Sequence, residues 1–110
     1  MSNIENAEEP RSHNVVYIGR QKPVMNYVLA ALTCLSEYPN VILKARGAAI
    51  SLAVDVAQIT VNRFSAGTKV ASVKIDTEQM ASQEGGMRNV STIQIELTAG
   101  RGATGEPLPT

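Results

Sequence analysis

Val15-Val16-Tyr17-Ile18-Gly19-Arg20-Gln21-Lys22-Pro23-Val24 carries a strand, a break and the start of a helix within one short segment. The β-branched and aromatic run from Val15 to Ile18, ended by Gly19, reads as a strand. Pro23 suits the first turn of a helix, where a missing N–H costs nothing. Val24, Val28, Ala31, Leu32 and Leu35 then recur at helical spacing, and Pro39 stops the pattern. The spacing predicts a helix from about Pro23 to Ser36. Val41 to Arg46 repeats the strand signal, Gly47 closes it, and a second helix is predicted from about Ala48 to Arg63.

That second helix is apolar on two sides. One stripe holds Ile50, Ala53, Val54, Ala57 and Val61, the other Leu52, Val56 and Ile59. Two apolar faces need two burial partners. One is the chain's own sheet; a second copy of the chain is the expected other, hence a dimer. After a turn at Ser65 to Thr68, Ala71, Val73 and Ile75 alternate with polar residues and predict a half-buried strand. Ile93, Ile95 and Leu97 do the same for a final strand. Between them, the polar segment Thr77 to Asn89 centres on Glu84-Gly85-Gly86, a hairpin-turn signal, and is expected to project beyond the core. The order βαβαββ implies a parallel first pair with a right-handed crossover. The fold class is therefore α/β: a two-layer sandwich with two helices on one face of a mixed four-stranded sheet and an extended hairpin joining the last two strands.

At 110 residues the chain has room for one domain. Residues 1–13 read as a disordered leader, 14–98 as the folded domain and 99–110 as a flexible tail rich in Gly and Pro. Net charge is zero, from ten basic and ten acidic side chains, which argues mildly against a nucleic-acid partner. Setting aside Arg11, Arg101 and the four glutamates of the ends leaves eight basic and six acidic groups in the body. Any electrostatic site must come from local clustering. One Cys and one His exclude an internal disulfide and any zinc-site spacing; Cys34, inside an apolar run, reads as a small core residue. No nucleophile, base and orienter converge, and Asp55 lacks a His or Cys partner, so no enzyme, cofactor or metal is expected. No apolar run approaches the ~20 residues of a membrane span, and the expected compartment is the cytoplasm.

Topology makes one geometric prediction. Ligands of strand–helix–strand units meet the carboxyl ends of the strands. Those ends carry Gly19-Arg20-Gln21-Lys22 and Arg46-Gly47, each leading into a helix N-terminus that favours anions. Arg20, Lys22, Lys44 and Arg46 are thus candidates for a phosphate-binding patch, against the alternative of four solvated surface cations. No Walker or dinucleotide glycine pattern is present. Arg63, ending the second helix, suits the dipole in any case. Arg88, near the hairpin tip, is a candidate groove contact, although Glu78 and Glu84 would repel phosphate.

The segments Val15–Gly19 and Lys22–Thr33, and Ile42–Gly47 with Ala49–Ser51 and Ala53–Asp55, extended by Asn62-Arg63-Phe64 and Val90-Ser91-Thr92-Ile93, resemble the archaeal Alba proteins over roughly residues 14–98. The resemblance implies a dimer that binds duplex DNA without sequence preference, with RNA binding also common. It implies phosphate contacts from the loop Arg20, Gln21, Lys22 and from Arg46, and hairpins lying along the minor groove. Lys22 matches the second basic loop position, whereas Gln21 brings no charge. Ala48, Leu52 and Val61 stand where relatives often carry basic residues. Asn62, Arg63 and Phe64 match the region used for contacts between dimers. The leading expectation is a chromosome-associated protein that coats and compacts double-stranded DNA. The alternatives are an RNA-binding ribonucleoprotein subunit, or an interaction subunit in a heterodimer with a more basic paralogue. Few aromatics argue against a single-strand specialist.

Overall fold

A computed structural model describes residues 14–64 and 67–100, the side chain of Phe64 excepted. The expected leader lies outside the described residues, as does the expected tail beyond Gly100. The elements are β1 (Val15–Tyr17), α1 (Val24–Glu37), β2 (Asn40–Arg46), a 3-10 turn (Gly47–Ala49), α2 (Ile50–Ile59), a π turn (Thr60–Phe64), β3 (Lys69–Ala81) and β4 (Met87–Thr98). The sheet order is β1-β2-β4-β3, with β1 parallel to β2 and the other two pairs antiparallel. The α/β sandwich expected from the sequence is therefore the architecture observed.

Strand alternation decides what the core contains. Val16, Val41, Leu43, Ala45, Ile93, Ile95 and Leu97 point to one face and pack against Tyr27, Val28, Ala31 and Leu35 of α1 and Ala53, Val56 and Ala57 of α2. Both helices thus cover the same face. Complete burial of a side chain such as Leu43 or Leu97 contributes about 1.5–3 kcal/mol.

Three expectations need correction. The second helix is not one continuous α-helix: a 3-10 turn opens it and a π turn closes it. Its two apolar stripes resolve into a single buried one, Ala53, Val56 and Ala57, because positions three and four apart share a face; Val54 instead points outward, 41% exposed. The third correction concerns β3, which is not half-buried. Val73 pairs with Ile95, and Ile75 with Ile93, so both continue the core-facing side of the sheet. A register shift between Val70 and Ser72 leaves Ala71 as the extra residue and puts Val70 opposite Leu97. Yet β3 is the edge strand, neither described helix covers it, and Val73 and Ile75 are 55% and 75% exposed.

The β3–β4 hairpin turns at Ser82–Gly86. Gly85 N–H donates to the Ser82 carbonyl (3.1 Å) and Ser82 N–H to the Gly86 carbonyl (3.0 Å). Gly85 and Gly86 adopt φ of 94° and 81°, a region that residues with a Cβ seldom enter.

Candidate functional site

The carboxyl ends of β1 and β2 lie side by side because the two strands are parallel neighbours. Tyr17 is in register with Lys44, and Ile18 N–H donates to the Lys44 carbonyl (2.8 Å). The chain leaves β1 through Gly19 to Pro23 and leaves β2 through Gly47. Gly47 has a φ of 59°, and an added Cβ would meet Val90 at 3.7 Å, so conformation rather than space demands glycine there. Gly19 has no such demand; its N–H donates to the Tyr27 hydroxyl (3.3 Å), which ties the first junction to α1.

Neither helix start is closed by its own sequence. Pro23 supplies no side-chain cap to α1, the 3-10 turn and α2 have none either, and no acidic residue occupies any of the three first turns. Exposed N–H groups at such starts favour anions.

A concavity of about 1160 Å³ joins these parts. Arg20, Gln21, Lys22, Lys44, Arg46, Gly47 and Arg88 all contribute to its lining. Glu78, Thr92 and Gln94 line it as well. Lys22 and Arg46 are exposed and border the same space. Arg63 does not line it; this residue lies within the π turn, where a cation complements the helix dipole. Of the other residues matched to contacts between dimers, Asn62 donates to the Gln58 amide oxygen along the helix surface (2.9 Å); Phe64 closes the π turn.

The cations differ in their partners. Arg46 bonds the Glu78 carboxylate at 3.3 Å, both side chains being more than half exposed. Lys44 holds its ammonium 5.8 Å from the centroid of the Tyr17 ring. Arg20 and Lys22 form no ion pair among the described residues. Sequence reasoning missed Glu78 as the partner of Arg46, because register across a long hairpin is not legible from spacing. It missed Tyr17 too, although the outward position of a strand residue beside Val16 was the available signal.

The remaining chemistry is spare. Burial, and then the nearby Glu37 carboxylate, push the Cys34 thiol above its ordinary value, which keeps it protonated and a poor nucleophile. Among the described residues no three His, Cys, Asp or Glu side chains group as metal ligands, and no helix is long and apolar enough to cross a membrane.

Comparison with known proteins bears on the same region. The Alba family profile matches residues 14–77. A DNA/RNA-binding protein Alba of Methanocella arvoryzae is 48% identical over 92 residues, covering 83% of this chain and 95% of its own length. Its counterpart in Nitrosopumilus maritimus is 45% identical, covering 78% of this chain and 90% of its own length. The solved structure of Alba from Thermoplasma volcanium superposes with a TM-score of 0.72 at 43% identity, covering 77% of this chain and 99% of that one.

Proposed function

This chain belongs to the Alba family, and from that premise we propose that it is a non-enzymatic nucleic-acid-binding protein whose two strand-to-helix junctions grip the backbone of duplex DNA. The observation that carries this reading is the concavity that gathers Arg20, Lys22, Lys44, Arg46 and Arg88 at one end of the sheet, beside uncapped helix starts. Cations on a flexible stem neutralise phosphates without reading bases, so binding is sequence-independent and salt-dependent. Such a protein coats and compacts chromosomal DNA and resides with the chromosome in the cytoplasm. The relatives named as binding both DNA and RNA support RNA as a second ligand of the same cations.

The working unit is a dimer. Val54 on α2 and Val70, Val73 and Ile75 on β3 are exposed apolar side chains, and β3 is an unpaired sheet edge. Such edges are normally covered, and a second copy, or a more basic paralogue, covers this one. Asn62, Arg63 and Phe64, beyond α2, serve contacts between dimers.

The test is titration of duplex DNA at several salt concentrations with wild type and with Arg46→Glu. Each cation lost from a phosphate reduces the magnitude of the salt slope of log K by about 0.9, so a dimer, which loses two here, falls by about 1.8. An unchanged slope and affinity would remove Arg46 from the interface; absence of binding by wild type even at low salt would overturn the function.

A further inference from the structure

The sheet face opposite the helices is covered by none of the described elements. Its half farther from the junctions is closed by side chains: Asn14 Nδ2 donates to Asn40 Oδ1 (3.0 Å), Asn40 Nδ2 to Glu96 Oε2 (2.9 Å) and Ser72 Oγ to Glu96 Oε1 (3.3 Å). The half nearer the junctions is different. There a register row crosses all four strands as Tyr17, Lys44, Gln94 and Lys74. Tyr17 is 73% exposed, with the Lys44 ammonium over its ring, 5.8 Å from the centroid, so the opposite ring face is the one a base would meet. Tyr17, Lys44 and Gln94 border the same concavity as Arg20, Lys22 and Arg46.

We propose that Tyr17 is a stacking platform for one unpaired base, in a strand whose flanking phosphates reach Lys44 and the junction cations. An exposed phenol ring on this open sheet face offers a flat π surface, which every nucleobase can stack on. The Gln94 amide and Thr92 hydroxyl lie within the same hollow and supply donors and acceptors for a base edge. A base inside a duplex is already stacked on its neighbours and reaches such a ring only by leaving the helix. Tyr17 therefore separates two ligand classes that the cations alone do not: unpaired strands gain from it and intact duplexes do not. This inference rests on the phosphate-binding reading of the junctions and adds a subsite to it. With one exposed ring, the subsite takes one nucleotide and supplements the electrostatic grip.

The experiment compares wild type, Tyr17→Leu and Tyr17→Phe in binding short oligouridylate, short oligothymidylate and blunt duplex DNA at one salt concentration. Tyr17→Leu is expected to weaken both unpaired ligands about tenfold while leaving the duplex unchanged, and Tyr17→Phe to bind like wild type. Weakening with oligouridylate alone would restrict the subsite to RNA and still support it. Equal weakening on duplex and unpaired strands, none on either, or a Phe variant as weak as Leu would overturn it. Duplex binding by wild type with no binding of unpaired strands defeats this inference alone, whereas no binding of any of the three defeats the junction reading as well. If Tyr17→Leu does not fold, Tyr17→Trp carries the test: the chain has no other Trp, so unpaired RNA must quench its emission and duplex DNA must not.

Discussion

At the end of β1, Arg20 and Lys22 stand exposed with no ion pair among the described residues, whereas at the end of β2 Arg46 is engaged by Glu78 of the hairpin. Both junctions are products of the same topology, a strand end feeding an uncapped helix start. They differ because β2 lies inside the sheet and β1 at its edge. Arg46 is therefore in register with Thr92 and, through it, with Asp76, one pleat from Glu78. No strand of the hairpin flanks Arg20 or Lys22. The difference teaches that in a chain of zero net charge the position of each cation matters more than their number. The first junction presents charge outright; in the proposed reading the second exchanges a carboxylate for a phosphate.

Breaking the proposed dimer would remove half of both junctions at once and is the largest expected effect. Val73→Asp with Ile75→Asp on the exposed side of β3 should give a monomer by sedimentation, with the salt slope of duplex binding cut to about half. An unshifted mass would place the dimer interface elsewhere.

Neutralising the first junction comes next. Arg20→Gln with Lys22→Gln deletes two cations per subunit and four per dimer, so the slope should fall in magnitude by roughly 3.6. Equal slopes in titrations of this variant and wild type would show that its exposure is not used.

Glu78→Gln sharpens the comparison from the other side. It frees Arg46 and should tighten duplex binding about threefold, in keeping with the small worth of an exposed ion pair. The gain must vanish in an Arg46→Gln background; a gain that persists there reports general charge relief instead.

The smallest effect belongs to Tyr27→Phe. Deleting the hydroxyl that accepts from Gly19 N–H should lower stability by about 1 kcal/mol in chemical denaturation and loosen the first junction alone. A variant as stable as wild type would show that this bond does not anchor the loop.

Much of the fold was legible because β2 and β4 alternate cleanly and α1 has a single apolar stripe. The limits were those of one-dimensional patterns. Val73 and Ile75 alternate like buried residues, and only the sheet order reveals that no described element covers them. The helix from Ala48 to Arg63 reads as continuous because periodicity over sixteen positions does not distinguish 3-10 and π turns from α. At the candidate site, glycines and cations at strand ends pointed to the junctions, and parallel pairing brings them together. The Arg46–Glu78 bond joins residues thirty-two apart on two strands that meet only through β4, and no local spacing encodes it.

The most direct measurement of whether both junctions hold one backbone is an NMR titration with duplex DNA that follows the backbone amides of Arg20, Lys22 and Gly47 together with the Arg46 guanidinium. The expected result is that all four signals move with a single binding curve, and that the Arg46 signal also reports its release from Glu78. Shifts confined to one junction, or to the outer face of α1, would contradict a shared phosphate grip.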